Sequence, residues 1–595
     1  MPAVFCAMTF MLCEAVSRPF AEMGVCDDWS YIRTAQLLAQ TGHIRYNGWA
    51  ATMVGWQLYP AAALLKLFGF SFTAARLSTF LVAVLTTFLI QRTFVRAGIN
   101  ERNATIGTLA IVLTPLYMAL SVTFMTDLPG LFAIVICLYG CLRALQASSS
   151  ASATRWVCFA ALTNTVFGTS RQISWLGVLV MVPCTLWLLR RHRRTLVAGG
   201  LATLLSWASI AMSLHWLNRQ LYIIPEHLFF KIEGLGQLRH MAKGLGGVVL
   251  DVPFLILPIV AAYLIVLRRK DRQFWSVLGV CGLGFAVIFV WLRVAVGPGL
   301  ILEPILGDWV TPMARYGIFI LESPGPIVLG HTIRVLLTAV TGVATLCVIA
   351  FLWGIRQRGV RDEIGAQQVE VSRLTASSVS WDQILLLVGP FAVTYFLLLI
   401  PRSSVQLLDR YLLAFLVLAG LCLLRAFQDF VQPHLPAVTK VLVGVVAIYS
   451  IGATHDMFAF YRARIAVANE VRAAGIQPSA FDGELEYNGW EELLQGGYVH
   501  DRKMVNPPDS DAPMAPYRGW SCTGEGKLYW YFGFRFPHFS PRYGLSFDPD
   551  ACAGRTALAP VSYFRWLGLR PGYLYVVNYQ PAKGPYSLPS NLPPF

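Results

Sequence analysis

Charge is what this chain has least of. Asp, Glu, Lys and Arg make up only 13% of its 595 residues against 56% hydrophobic, and the mean hydropathy is +0.57. Soluble domains carry about a quarter of their residues as charges. The lipid bilayer is therefore the expected solvent. Acidic residues are the scarcer sign, 32 against 47 Lys plus Arg, for a net charge of +15. The positive excess stands in short clusters between apolar runs, such as Arg190-Arg191-His192-Arg193-Arg194 and Arg268-Arg269-Lys270-Asp271-Arg272. That is the distribution of cytoplasmic loops, not of a nucleic-acid patch, and no nucleic-acid partner is expected.

Other absences narrow the chemistry. The chain has no Walker-type glycine loop, no His-Glu-x-x-His and no Cys-x-x-Cys, so a nucleotide-driven pump is not expected. No internal repeat is visible, and the Ala147–Ala153 Ser/Ala loop is the one low-complexity segment. The first apolar stretch, 4–20, lacks a basic leader and a small-residue cleavage site and reads as a retained helix. Within it Glu14 and Arg18 stand four apart, a spacing that pairs them on one helix face, unless that end frays into water. Ten of the twelve cysteines lie in or near apolar runs and read as small buried hydrophobes. Cys522 and Cys552 stand apart in a polar C-terminal region, where they form either a disulfide, in an oxidising compartment, or two free thiols.

What is present is a series of apolar stretches long enough to cross a membrane as helices: 4–20, 74–94, 104–122, 127–145, 156–171, 173–189, 195–216, 246–266, 273–292, 327–354, 384–400, 411–424 and 439–455. Alternate connections carry the basic residues: Arg92, Arg96 and Arg102; Arg143 and Arg155; the two clusters; Arg356, Arg358, Arg361 and Arg373; Arg425 and Lys440. That side is cytoplasmic, the N-terminus lies with it, and an odd number of spans puts the tail outside. The expected fold is an all-α polytopic membrane protein of about thirteen spans, residues 1–455. A C-terminal extracytoplasmic mixed α/β domain, residues 456–595, follows, its strands suggested by strings such as Lys527–Phe532 and Tyr573–Val577. The outer connections 21–73, 217–245 and 293–326 are long, and in the first of them 31–39 and 58–68 have the spacing of interfacial helices. Long loops gathered on one side place the chemistry there.

Two acidic motifs reach that side. Val25-Cys26-Asp27-Asp28-Trp29-Ser30-Tyr31 sets two carboxylates just beyond the first span, and Thr126-Asp127-Leu128-Pro129 sets one at a tight outer turn. Carboxylates near a low-dielectric boundary serve as general bases or metal ligands. The alternative is that Asp27 and Asp127 cap the helices that follow them. Two arginines arrive as well, Arg171 in Gly168-Thr169-Ser170-Arg171-Gln172 and Arg410 in Leu408-Asp409-Arg410-Tyr411. Arginine suits bidentate phosphate binding; a local pair with Asp409, or snorkelling to lipid headgroups, is the alternative for Arg410. Carboxylates beside arginines at the mouth of a helical bundle fit a lipid substrate with a phosphate head, one group taking a proton from an acceptor hydroxyl while others stabilise the departing phosphate.

The acidic first outer loop (Asp27-Asp28-x-x-Tyr31), the Thr126-Asp127-Leu128-Pro129 turn, Arg171-Gln172 and Arg410-Tyr411, in this order and on one side, resemble the GT-C superfamily of integral membrane glycosyltransferases. The resemblance is to the bacterial relatives of protein O-mannosyltransferases and of the aminoarabinose transferase. It implies an inverting transfer of a sugar from a polyprenyl-phosphate donor to a lipid, glycan or protein acceptor at the outer face of the inner membrane. Asp27 would be the base, with Asp28 in place of the usual Glu, and Asp127 would position substrate. Arg171, Arg410 and Tyr411 would contact the donor phosphate. Asp27 and Asp127 would be the ligands of any divalent ion, Mg or Mn. One departure is plain: where relatives often carry a Lys-Pro-Pro-like stretch, this chain has Gly55-Trp56-Gln57-Leu58-Tyr59-Pro60. Arg45 or Arg76 is then the expected substitute for the lysine. The competing readings are a transporter or flippase of lipid-linked saccharides, which calls for paired repeats and broken helices, and a surface-polysaccharide polymerase or ligase.

Overall fold

The computed structural model describes residues 1–49, 55–223, 234–268, 272–296, 302–307, 319–320, 323–324, 327–362, 379–402, 407–499 and 541–579. It is a helical bundle with a small C-terminal sheet. Helix α1 (Pro2–Ser17) is followed by α2 (Asp28–Thr41) and α3 (Leu58–Phe68), the two short helices expected in the first outer loop. Then come α4 (Phe72–Arg96), α5 (Glu101–Val112), α6 (Pro115–Ser121), α7 (Asp127–Leu145), α8 (Ser150–Phe167), α9 (Val182–Leu188) and α10 (Arg193–Leu217). The second half holds α11 (Leu235–Leu255), α12 (Leu257–Val260), α13 (Arg272–Val296), α14 (His331–Asp362), α15 (Trp381–Arg402), α16 (Leu413–Phe430) and α17 (Ala437–Ala473).

Among the described residues seven helices are long and apolar enough to cross a membrane, or nine if two bent pairs each count as one span. The chain is an integral membrane protein. Every stretch read as a span has a helical counterpart, but not every one is straight. The stretches 104–122 and 246–266 are broken, bending by 69° between α5 and α6 and by 71° between Gly244–Leu255 and Leu257–Leu267. The cause is local: Pro115 and Pro258 lack the N–H that would continue the ladder, and each sits in the first turn of the segment after the break. The Thr114 hydroxyl caps that new start by accepting from Tyr117 N–H at 3.3 Å.

The stretch 173–189 is also irregular, running through tight turns over Gln172–Trp175 and a π-helical stretch over Gly177–Met181 before α9. Buried Asn164 of α8 inserts here, donating to Ala133 O and Ser174 O and accepting from Val178 N–H at 2.8 Å. A side chain wedged into the ladder widens it locally. That irregularity sets the backbone leading out of Arg171.

The C-terminal part contains α18 (Leu485–Gly496) and a sheet in the order β3-β4-β6-β5, of β3 (Phe481–Asp482), β4 (Tyr543–Ser546), β5 (Val561–Arg565) and β6 (Arg570–Asn578), with β3 parallel to β4 and the other pairings antiparallel. Strands β1 (Phe319–Ile320) and β2 (Ser323–Pro324) form a separate short ladder. The string Tyr573–Val577 lies within β6; Lys527–Phe532 falls outside the described residues. Helix α17 runs unbroken past 455/456, and the Asp456 carboxylate accepts from the N–H groups of Trp566 and Leu567 at 2.6 and 3.1 Å, docking the β5–β6 turn on the helix. His455 stacks on Trp566 at 3.9 Å. Cys552 is disulfide-bonded, while its expected partner Cys522 lies outside the described residues. The other ten cysteines are free thiols.

Candidate active site

Asp27 occupies the N-cap position of α2, but its side chain caps nothing. Oδ1 accepts instead from the indole N–H of Trp49 at 2.8 Å, and Oδ2 lies 3.6 Å from Nη2 of Arg410. The pair is partly open: the Asp27 side chain is 26% exposed and that of Arg410 12%. Cys26, with a left-handed φ of 54°, places its Sγ 3.7 Å from Arg410 Nη1. Between capping and a free carboxylate, the geometry selects the carboxylate that faces a cation.

Asp28 is different. It is fully buried, and its two oxygens accept from Val25 N–H at 2.7 Å, Phe124 N–H at 3.2 Å and the Arg76 guanidinium at 2.7 and 3.2 Å. Arg76 also donates to the carbonyls of Ala21 and Met23. The ion pair therefore ties the outer loop to α4 and the α6–α7 connection. Asp28, grouped with the catalytic carboxylates by sequence, is enclosed in a buried ion pair, and Arg76, one of two expected substitutes for the missing lysine, has four of its five N–H donors engaged in that pair and on the loop carbonyls. Arg45, the other candidate, is exposed.

Asp127 opens α7 and, like Asp27, does not cap its helix; it pairs with Arg171 Nη1. Its side chain is 1% exposed, and its Oδ2 is buried without a hydrogen bond, an unfulfilled acceptor of the kind that clusters at functional sites. Gly130 makes room for the pair, since a Cβ there would lie 3.1 Å from Arg171 Cβ and 2.8 Å from Ser174 Oγ. The two halves meet at Tyr411. The guanidinium of Arg171 stands 4.9 Å from the Tyr411 ring centroid and that of Arg410 5.9 Å from it. Tyr395 of α15 fixes this segment by donating to the Tyr411 carbonyl at 3.0 Å.

Asp27, Arg410, Tyr411, Arg171 and Asp127 thus form one continuous patch built from four separate parts of the sequence. The Gly55–Pro60 stretch adjoins it. Gly55 N–H donates to Thr169 O at 2.9 Å and Trp56 N–H to Thr169 Oγ1 at 3.1 Å, two residues from Arg171. Gln57, 2% exposed, has neither amide atom bonded. Trp49 is the member that sequence reasoning missed; an isolated tryptophan beyond Gly48 gives no signal of its partner.

Asp27 and Asp127 each face an arginine, and among the described residues no three of His, Cys, Asp or Glu gather. Beside the site, Glu22 caps α4. Burial alone would raise its carboxyl, but the hydroxyls of Thr73 and Ser71 and the N–H groups of Phe72 and Thr73 bring it below its usual value.

Residues 53–217 match the family described as dolichyl-phosphate-mannose-protein mannosyltransferase. This stretch runs from the first outer loop through Asp127 and Arg171, and the match bears out the GT-C resemblance carried by those motifs. No curated protein matches. Among solved structures the chain is similar to ArnT from Cupriavidus metallidurans in the apo state, at 16% identity over 96% of this chain and 97% of that one, with a TM-score of 0.36. It is also similar to the Archaeoglobus fulgidus oligosaccharyltransferase complex with Zn and sulfate (14%, 89% and 62%, TM-score 0.40). A third likeness is to the S. cerevisiae Pmt1-Pmt2 complex bound to the sugar donor (14%, 40% and 36%, TM-score 0.30). All three TM-scores are those of distant likenesses.

Proposed function

We propose that this protein is a membrane glycosyltransferase that moves one sugar from a polyprenyl-phosphate carrier to a hydroxyl of a lipid, glycan or protein acceptor at the outer face of the inner membrane. The observation that carries this reading is the patch in which Asp27 and Asp127 each meet an arginine and both arginines flank Tyr411. The family match over 53–217 supports a lipid-phosphate sugar as donor. In the topology that goes with it, the N-terminus and the basic loops are cytoplasmic and the C-terminal domain, from residue 456, lies outside.

The chemistry follows from charge. Asp27 accepts the proton of the acceptor hydroxyl as its oxygen attacks the anomeric carbon, while the bond from that carbon to the carrier phosphate breaks and the electron pair leaves with the phosphate. The carrier begins as a phosphodiester with one negative charge and leaves as a monoester that bears more. Arg171 and Arg410 therefore bind the transition state better than the ground state, the condition for raising kcat. The 3.6 Å separation of Arg410 from Asp27 is long for a hydrogen bond, so an arriving phosphate can draw the guanidinium away and leave the carboxylate to the acceptor. Asp127 holds Arg171 in place, and Asp28 with Arg76 holds the loop. No step requires a metal.

The test is a panel of radiolabelled polyprenyl-phosphate sugars incubated with purified protein and membrane extract. Label entering an acceptor supports the reading. Carrier crossing liposomes with no transfer would instead establish a flippase.

A further inference from the structure

The loop that carries Asp27 is held from two sides by a segment hundreds of residues away. Cys26 N–H donates to Glu486 Oε1 at 3.2 Å across 460 positions of sequence. Glu486, in the first turn of α18, is itself fixed by two groups of α17: Tyr461 Oη donates to it at 2.7 Å and Arg464 Nη2 at 2.9 Å. Arg464 also donates to Gly483 O at 2.7 Å, locking the approach to α18. On the other side, Val499 N–H, just past α18, donates to Asn47 O at 2.8 Å. Asn47 in turn accepts from the Ser30 hydroxyl at 2.7 Å and donates to Ser30 O at 2.8 Å, two residues before the Trp49 that holds Asp27. Between the two attachments Gly489 lies so close to Trp29 that a Cβ there would come within 2.5 Å of the indole.

Cys26 needs such support. A residue with a Cβ disfavours the left-handed region, and Cys26 occupies it immediately before Asp27. A hydrogen bond from its amide to an ionised carboxylate is among the stronger kinds available to hold it there.

We propose that Glu486 is a positioning residue for Asp27, and that α18 is a strut by which the C-terminal domain aims the carboxylate at the acceptor. The proposal rests on the reading of Asp27 as the base. It assigns a task to Glu486, which lies in a segment whose composition alone gives it none.

The test compares Glu486→Ala, Glu486→Gln and the pair Glu486→Leu/Arg464→Leu, each in the wild-type and Cys26→Gly backgrounds. The Leu pair replaces a buried ion pair by apolar groups and so preserves folding where Ala, which leaves Arg464 buried and unpaired, does not. Loss of the strut should lower kcat on the order of 10²-fold, the effect of misaiming a reacting group, with little change in the donor KM. Gln keeps an acceptor at the same place and should retain most of the kcat. In the Cys26→Gly background the loss should shrink, because glycine adopts a positive φ without penalty. Amide exchange over residues 25–28 should rise in the Ala or Leu variants while that of α17 stays constant.

Unchanged exchange at 25–28, equal losses in both backgrounds, or Gln as damaging as Ala would overturn the proposal. The exchange arm does not depend on turnover. If it behaves as stated while Asp27→Asn remains active, the strut stands and the assignment of the base falls.

Discussion

Trp49 Nε1 donates to Asp27 Oδ1 at 2.8 Å, so one oxygen of the candidate base is fixed while the other faces Arg410 at 3.6 Å. A carboxylate held this way has a defined direction and one oxygen at the open side of the patch. Arg410 is the group that arriving phosphate would share.

The Arg171 and Asp127 pair should behave as a unit. Arg171→Ala leaves a buried carboxylate unpaired and, in the proposed mechanism, removes a donor to the leaving phosphate, so kcat should fall by about 10²–10³-fold. Arg171→Lys keeps the charge but loses the planar fork and should recover only part. Steady-state kinetics with Asp127→Asn should show much of the same loss, with the double variant little worse than either single one.

Asp28 and Arg76 should matter to folding rather than to chemistry. Both are buried, and removing one partner of such a pair costs about 3–5 kcal/mol. Asp28→Ala and Arg76→Ala should lower the thermal midpoint sharply and reduce the yield of monodisperse protein. The molecules that fold should retain their donor affinity.

Activity should survive EDTA. Asp27 and Asp127 are already matched by arginines, so transfer should proceed unchanged in chelator. Loss of activity in EDTA that Mg or Mn restores would show that the Asp27 and Asp127 oxygens recruit an ion together with substrate.

Glu22 gives a pH signature of its own. Its folded value lies below the ordinary 4.5 because its oxygens cap the start of α4. A depressed carboxyl contributes stability that is complete above its unfolded value and is lost as pH falls through the folded one. Glu22→Gln should therefore lower stability slightly near neutrality, and the difference in thermal midpoint from wild type should vanish in acid.

The parts of this molecule legible in sequence are those fixed by local physics. Apolar length located the spans, with 127–145 matching α7 at both ends, because in lipid the backbone has to satisfy itself within each segment, and helical spacing located the interfacial stretch 58–68, which matches α3. Charge alternation assigns Asp27, Asp127, Arg171 and Arg410 to one side, and the patch joins all four. The bends at Pro115 and Pro258 were within reach of the same reasoning, since each proline breaks a ladder that hydropathy averages over.

The rest depends on distant pairing. Asp27 and Asp28 are adjacent and chemically alike, and only the position of Arg76 on α4 separates an open carboxylate from an enclosed one. Nothing near Glu486 announces Cys26, and nothing near Trp49 announces Asp27. The Glu486 contact exists where α17 and α18 pack against the first outer loop, a relation that no window of sequence contains.

The most direct test of the central claim is the transfer rate of Asp27→Asn relative to wild type, measured per folded molecule with donor in excess. Asn preserves the Trp49 hydrogen bond and the size of the side chain but cannot take a proton at neutral pH. A fall in kcat on the order of 10²–10⁴-fold, the span assigned to a general base, with donor KM nearly unchanged, is the predicted result. Transfer by Asp27→Asn at the wild-type rate would contradict the account.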